Sequence, residues 1–346
     1  MISSSSIDYN NTVETATTSI LVTNVLRAHD GAPLFFSDLS QIHGSLALDV
    51  SAQDTFPFGP RLGSTTRTTS QVGPIAVNST PSFDIAPLNT KQFYEGILNP
   101  IAPNVLGYLL QRGLAPGVIL QLLISRIDVY DHSGKVLKES FEWSGKPGDH
   151  LSAMLQRWAS GPRPAVKSAH EKSNFGPPLA GNLQSVIAAN SSGLEVQSTP
   201  KGLQLVKATS SPVLCVSDGG KRILVSIVEN SVVKGPSEPK FPSDMSACGA
   251  GDSPALRYAV TLRSVESIFY YLGTTVDMDN PPVPFHLWRG TSPDDWMHVN
   301  YRGEDYAVHH VSEHDGTTLI LAILSDLLNI NRDAAEIPTT KAVTVQ

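Results

Sequence analysis

Helix-type and strand-type patterns of apolar residues occupy separate runs of this chain, and their order limits the possible folds more than any other feature. Helical spacing dominates the first half, short strand-like segments follow between 194 and 228, and helices separated by a hairpin close the chain. Regular alternation of strand and helix would instead predict a parallel sheet covered by helices on both faces. The pattern therefore favours an α+β fold with short antiparallel strands and hairpins.

Several segments have the apolar spacing of helices. The first, Asp8–His29, carries one apolar stripe, while its other side consists of Thr, Asn and Ser, so packing rather than propensity must stabilise it. Gly31 is the natural left-handed cap behind this N-terminal helix, and Met1–Ile7 in front of it is expected to be a mobile tether. Further helices are predicted at Thr90–Leu98, Pro103–Arg112, Pro116 towards Asp128, Leu151–Trp158, Arg263–Gly273 and Thr317–Ile330. The helix from Pro116 is apolar nearly all round, which predicts burial at the centre of the protein, and the last is a strongly apolar C-terminal helix.

Strand-like alternation is found in short segments. The pair Gly219 and Gly220 predicts a two-residue hairpin turn, and a second hairpin is expected around Arg302–Asp305. The predicted strands are Leu46–Val50, Ser82–Pro87, Leu194–Gln197, Leu203–Lys207, Val213–Val216, Arg222–Val228, Met297–Tyr301 and Tyr306–His310.

Stretches rich in Pro, Gly and Ser suggest how the chain is divided. Residues 163–178 lack periodicity and are predicted to be a linker or mobile loop between a helix-rich α+β part, 1–162, and a second α+β part, 179–346. One continuous domain is the alternative, since 346 residues suit one large domain or two modest ones. Residues 51–72 and 234–254 are also irregular, and loops of this length in a compact domain are either functional or disordered.

Charge and hydropathy exclude some partners. The formal net charge is −7 and basic residues are spread singly, which argues against a nucleic-acid partner because phosphate binding needs clustered Lys and Arg. No window approaches the apolar length that spans a bilayer, and Met1–Ser6 does not begin a signal peptide. The chain is therefore expected to be either cytosolic or the mature part of an exported protein.

The chain has two cysteines, and their state stays open at this level. Cys215 lies in an apolar, strand-like run and Cys248 in a stretch of small residues. One disulfide is compatible with an oxidising compartment, but two unpaired thiols fit the sequence at least as well.

The densest group of metal-ligand side chains is His309, His310, Glu313, His314 and Asp315. Adjacent residues of a strand point to opposite faces, so at most one of His309 and His310 could join His314. A closed zinc site normally needs four ligands, and this segment offers two or three. A polar hairpin end that leads into a helix is the simpler interpretation.

Other chemical motifs are weaker still. Ser253 follows Gly251 and Asp252 but precedes Pro254 and lacks the strand-to-helix turn of a hydrolase nucleophile. The aromatic residues Trp288 and Trp296 could belong either to an interface or to the core. We therefore assign no catalytic, cofactor or metal site from the sequence alone.

A set of stretches in a fixed order resembles a family of uncharacterised proteobacterial envelope proteins, many of them outer-membrane lipoproteins. They are Leu21–Ala28, Ala32–Phe36, Thr80–Leu88 followed by Phe93 and Leu98–Ile101, Leu120–Ile127, Arg263–Leu272, Tyr301-Arg302-Gly303 and the C-terminal apolar helix. The resemblance implies a location on the periplasmic side of the outer membrane, with a lipid on an N-terminal cysteine that this sequence lacks. That family has no established activity, so the resemblance implies a cellular location but no biochemical activity.

These observations together predict a non-enzymatic cell-envelope protein that acts as a binding or assembly subunit. Its expected partners are proteins, including further copies of itself, with the membrane reached only through a lipid anchor. The alternative is a hydrolase or metal-dependent enzyme that uses the region of His298, His309, His310 and His314.

Overall fold

The computed structural model describes residues 2–48, 77–88, 90–131, 135–146, 149–174, 176, 194–200, 202–228, 230–231, 235–236, 239–242, 246–249, 256–293, 295–309 and 316–331. These residues form two compact units. The smaller unit takes in the described residues between Phe35 and Leu88, and the larger unit takes in those up to Leu34 and from Thr90 onwards.

Helices are present at all seven predicted positions. Their bounds are α1 (Ile2–His29), α2 (Lys91–Leu98), α3 (Pro103–Gln111), α4 (Pro116–Leu123), α5 (His150–Ala159), α6 (Val265–Gly273) and α7 (Gly316–Ile330), with a short 3-10 helix at Ser246–Cys248.

Strands are more numerous than the sequence predicts. Their bounds are β1 (Ser37–Leu48), β2 (Val77–Pro87), β3 (Ile124–Asp131), β4 (Val136–Glu142), β5 (Ala165–Asn174), β6 (Glu195–Thr199), β7 (Gly202–Asp218), β8 (Lys221–Val228), β9 (Asn230–Ser231), β10 (Gly235–Pro236), β11 (Leu256–Leu262), β12 (Trp288–Arg289), β13 (Asp295–Tyr301) and β14 (Glu304–His309). Helices beside mixed sheets confirm the α+β class.

The smaller unit is a long antiparallel pair of strands. β1 and β2 run in register from Ser37 opposite Pro87 to Leu48 opposite Val77, with an irregularity between Leu39 and Gln41. The predicted strand that ends at Pro87 is thereby confirmed. The loop predicted over 51–72 lies outside the described residues.

The larger unit is built around a seven-stranded sheet in the order β4-β3-β11-β8-β7-β5, with β6 also paired to β7. Its described pairs are antiparallel except for β8 and β11, which are parallel. β12, β14 and β13 form a separate three-stranded sheet. The β7–β8 turn uses Gly219 and Gly220 at φ +58° and +83°, which is the two-residue hairpin that the glycine pair predicts.

α1 docks on the larger unit through the predicted stripe. Leu21, Val22, Val25 and Leu26 are almost completely buried, and the helix contacts α6, α7 and β13. Gly31, at φ +66°, ends it as expected. The prediction of a tether over Met1–Ile7 is wrong for its residues from Ile2 onwards, because α1 begins at Ile2.

The central buried helix is shorter than predicted. α4 stops at Leu123, and the chain passes directly into β3 at Ile124 instead of continuing as helix towards Asp128. β3 pairs with β4 on one side and β11 on the other, so these long-range hydrogen bonds outweigh the local helical pattern.

The linker predicted over 163–178 contains a strand of the large sheet. β5 pairs with β7 from Ala165 opposite Cys215 to Asn174 opposite Val206. β5 lies at the end of the strand order, where polar and charged residues are usual, and this explains why its sequence lacks alternation. The two short strands predicted at Leu203–Lys207 and Val213–Val216 are likewise one strand, β7.

The two cysteines are joined. Cys215 on β7 and Cys248 in the 3-10 helix form a disulfide across a sequence separation of 33 residues. Ala169, Val213 and Leu224 surround it in a small buried cluster. Of the two states that the sequence leaves open, the structure adopts the disulfide.

Candidate functional site

The most distinctive polar feature of the described residues is an open groove of about 380 Å³ where β11 passes into α6, which we call the Arg263 groove. It lies entirely within the larger unit. Its lining combines hydroxyl, aromatic and charged side chains: Ser125, Arg126, Glu142, Trp143, Thr261, Arg263, Ser267, Tyr270, Tyr271 and Thr274.

α6 supplies one wall. Ser264 caps the helix by accepting a hydrogen bond from the Ser267 N–H at 3.1 Å. Positions three, four and seven residues after Ser267 share its helical face, and they are Tyr270, Tyr271 and Thr274. The opposite face, with Ile268 and Phe269 among others, is buried. One helix thus presents a core face and a groove face.

The sheet supplies the floor. Thr261 on β11 pairs with Arg126 on β3, and Arg126 pairs with Glu142 on β4. These three side chains therefore lie in one row across neighbouring strands. Trp143 follows β4 directly; its Nε1 donates to Thr274 Oγ1 at 3.1 Å, and its ring meets Tyr271 edge-on at 5.3 Å.

Arg263 is the residue between β11 and α6, and it is only 5% exposed. Its Nη1 donates to the carbonyl oxygens of Gln121 at 2.6 Å, Leu122 at 3.2 Å and Ile124 at 2.6 Å. Its backbone N–H donates to Leu123 O at 2.7 Å. Arg263 therefore satisfies the carbonyl groups at the end of α4, which have no partner within that helix.

The rest of the Arg263 guanidinium has a different environment. Its carbon lies 4.0 Å from the centre of the Tyr271 ring, a cation–π contact. Within the described part of the chain, Nη1 is the guanidinium nitrogen that donates to protein atoms, and Nε and Nη2 do not. Arg263 also lines the groove, and Nε and Nη2 make no hydrogen bond to a described residue, so they are available as donors to a ligand.

Burial has the largest effect on the pKa values of both Arg263 and Tyr271. Loss of hydration lowers the pKa of Arg263 to about 10, against smaller opposing effects of Tyr271 and of the Asp149 charge. Burial likewise raises the pKa of Tyr271 well above its usual value. Within the described residues no hydrogen bond joins Asp149 to the guanidinium, and its carboxylate oxygens accept the N–H groups of Ser144 and Ser152 at 3.1 and 2.8 Å.

The residues that the sequence singles out lie elsewhere. His309 on β14 and Asp295 on β13 are opposite each other, and His309 Nδ1 is 2.5 Å from Asp295 Oδ1. The Trp288 ring, 51% exposed, lies 4.9 Å from the His309 ring, and His298 is exposed on β13. His310, His314, Asp315 and Ser253 fall outside the described residues.

The Asp295 carboxylate is held by more than one donor. The Ser292 N–H donates to Oδ2 at 2.5 Å, and this bond, with the contact to His309, keeps the pKa of Asp295 below its usual range. Among the residues that the structure describes, no group of three or more His, Cys, Asp or Glu side chains could hold a metal ion.

No sequence pattern predicts the groove. Nothing local distinguishes Arg263 or Trp143 from ordinary surface residues. The one available signal is a charged residue placed directly between an apolar strand and the helix cap at Ser264.

The comparisons with known proteins do not assign this site. No family model, curated protein or solved structure matches the chain. In the described residues, every helix is too short or too polar to cross a bilayer.

Proposed function

We propose that this protein is a non-enzymatic binding protein of the cell envelope and that the Arg263 groove is its ligand site. The observation that carries the proposal is a buried arginine in the lining of an open groove with aromatic side chains, and two of its guanidinium nitrogens make no hydrogen bond to a described residue. Small-molecule sites typically combine apolar and aromatic walls with a few polar groups that converge on the ligand.

The polar groups of the groove suit recognition rather than catalysis. The hydroxyls of Ser125, Ser267 and Thr274 donate to backbone carbonyls at 3.0, 2.9 and 2.6 Å. Arg126 and Glu142 pair with each other at 2.9 Å. A nucleophile needs an adjacent base to activate it, and these groups are already engaged.

Two observations support the envelope location. A disulfide such as Cys215–Cys248 persists in oxidising compartments, including the bacterial periplasm, and is rare in the cytosol. The resemblance to outer-membrane lipoproteins implies the same place, with a lipid anchor. Fractionation of the source cells tests this, and recovery of the protein in the cytosol with free thiols would contradict it.

Burial of the α1 stripe favours the binding role over assembly through that helix. Leu21, Val25 and Leu26 are covered by the protein's own chain, so they are not an interface for another subunit. Protein partners, including a second copy, would dock through other surfaces. Native mass measurement and crosslinking in cell envelopes identify such partners.

The enzymatic alternative would centre on the Asp295–His309 pair. A carboxylate that holds an imidazole in one orientation is the base half of many hydrolytic sites. A substrate-bound structure with a reacting atom within hydrogen-bond distance of His309 Nε2 would favour the alternative.

Binding at the groove can be observed directly with fluorotryptophan, because the chain has four tryptophans and Trp143 lines the groove. Phenylpropionate, phenylpropionamide, methyl glucoside and benzyltrimethylammonium are titrated while fluorine NMR follows each signal. We expect at least one probe to shift the Trp143 signal in a saturable manner.

The matched variants are Tyr270→Ser and Tyr94→Ser, whose tyrosines are 39% and 38% exposed, the first inside the groove and the second on α2. Tyr270→Ser is expected to weaken binding, and Tyr94→Ser is expected to leave it unchanged. If no probe moves the Trp143 signal, or if both variants bind alike, the groove is not the ligand site.

A further inference from the structure

Two arginines line the Arg263 groove, and they differ in how their charge is compensated. Arg126 donates to Asp128 at 2.7 Å and to Glu142 at 2.9 Å. The pKa of Arg126 is raised, chiefly by the hydrogen bond to Asp128. Arg126 and its two carboxylates therefore form a satisfied cluster at the groove.

Arg263 has no such partner among the described residues. Its hydrogen bonds go to neutral carbonyl groups, and Asp149, whose charge influences it, uses both carboxylate oxygens on backbone N–H groups. A buried cation without a bonded anion is costly, and an anion supplied from outside would lower that cost. The free nitrogens Nε and Nη2 form one edge of the planar guanidinium.

That edge specifies the shape of the anion. Two parallel N–H groups on one side of a guanidinium match the two oxygens of a carboxylate. The single positive charge of Arg263, to which no carboxylate of the described residues is bonded, balances one negative charge. The second charge of a dianion would lack a free cation in the groove lining, because Arg126 is already paired with Asp128 and Glu142.

The walls specify the rest of the ligand. Trp143 and Tyr270 are aromatic, Tyr270 is 39% exposed, and both line the groove beside Arg263. An apolar or aromatic body would lie against these rings and remove their surface from water. A volume of about 380 Å³ suits a small molecule rather than a long segment of polymer.

We infer that the ligand is a small organic acid whose carboxylate pairs with Arg263 and whose apolar body packs against Trp143 and Tyr270. This inference rests on the proposed binding function and deepens it, because it names the chemical class of the ligand.

The test compares phenylpropionate with its neutral isostere phenylpropionamide and with phenyl phosphate, each titrated against the fluorotryptophan protein at one salt concentration. Hydrogen bonds to a charged partner are strong, so the acid should bind roughly tenfold more tightly than the amide. The Trp143 signal reports the groove, and the buried Trp158 signal reports that the protein stays folded.

The possible results separate the two proposals. Equal affinity for acid and amide, or tighter binding of phenyl phosphate, overturns the carboxylate inference while the binding function stands. If no probe shifts the Trp143 signal, the binding function fails as well. Acetyl-Gly-Gly-Phe distinguishes the source of the carboxylate: tighter binding of this peptide than of phenylpropionate would overturn the small-molecule assignment.

Two variants identify the arginine that is responsible. Arg157→Gln should keep the preference for acid over amide, because Arg157 pairs with Asp218 and does not line the groove. Loss of the preference in this variant would overturn the role of Arg263. Arg263→Lys keeps the positive charge but loses the two parallel N–H groups that match a carboxylate. A folded variant should therefore bind the acid about tenfold more weakly.

Discussion

Arg263 is the residue on which both the fold and the groove depend. Nη1 donates to three carbonyl groups where α4 passes into β3, the guanidinium stacks on Tyr271, and Arg263 lines the groove. A lysine could provide the charge but not this number of donors in one plane.

Replacement of Arg263 should therefore destabilise the protein strongly. Arg263→Met leaves the carbonyl groups of Gln121, Leu122 and Ile124 without their donor, and we expect a loss of about 2 to 4 kcal/mol in the free energy of unfolding. Urea unfolding measures this. The control is Arg112→Met, which removes a solvent-exposed ion pair with Asp326 and should move the midpoint little. Equal shifts in the two variants would contradict the structural role of Arg263.

The carboxylate of Asp295 provides a second test at the residue scale, because its contribution to stability should depend on pH. Its pKa is lowered in the folded state, first by the Ser292 N–H and then by His309, so ionised Asp295 stabilises the folded protein. This contribution is present above the ordinary carboxyl pKa of about 3.9 and is lost as the pH falls further. Asp295→Asn should therefore have a lower melting temperature than the wild type at neutral pH.

The gap between the two melting temperatures should close as the pH decreases below about 4, because the wild-type carboxylate then becomes protonated. Thermal unfolding across the acid range measures the gap. A gap that stays constant with pH would show that the charge of Asp295 is not what stabilises this hairpin.

At the scale of elements, α1 and α6 approach so closely that their contact needs a glycine. A Cβ on Gly273 would lie 2.6 Å from His29 N and 2.9 Å from Ala28 C. The Gly273 carbonyl oxygen is also 2.9 Å from His29 Nδ1. The end of α1 is thereby held against the end of α6.

Gly273→Ala should push these helix ends apart and cost about 1 to 3 kcal/mol, which is usual for overpacking against backbone. Gly117→Ala in α4 is the matched control, since its Cβ would have only an ordinary contact of 3.6 Å with Ala159. The control should be neutral or slightly stabilising, by up to about 1 kcal/mol. Denaturant unfolding of both variants compares them, and a harmless Gly273→Ala would refute the close approach.

At the scale of the whole molecule, the disulfide connects β7 in the large sheet to a segment 33 residues further along the chain. Closing a loop of this length restricts the unfolded chain by about 3 to 4 kcal/mol in the chain-entropy model. The double variant Cys215→Ala, Cys248→Ala should lose about that much stability.

The measurement is urea unfolding with and without reductant. The wild type should shift towards the variant when it is reduced, and the variant should not respond. A wild type that is indifferent to reductant, or that reacts with thiol reagents after isolation from its source, would remove the support that the disulfide gives to an envelope location.

Much of the local structure could be predicted because its causes are local. The apolar spacing of Ile268, Phe269 and Leu272 predicts that they face inward in α6, and all three are buried because helical periodicity alone determines which side chains share a face. The turn at Gly219-Gly220 and the cap at Gly31 follow in the same way from the positive φ that glycine tolerates.

The end of α4, the strand β5, the disulfide and the groove could not be predicted, because their causes lie far apart in the chain. The sequence by itself determined the fold class, most helices and several turns, since these depend on spacing within a few residues. Only the tertiary structure decided that α4 stops at Leu123, because Arg263, 142 residues after Gln121, supplies the donors there. The same placement buries the Arg263 side chain in the lining of the groove, which no pattern in either segment encodes.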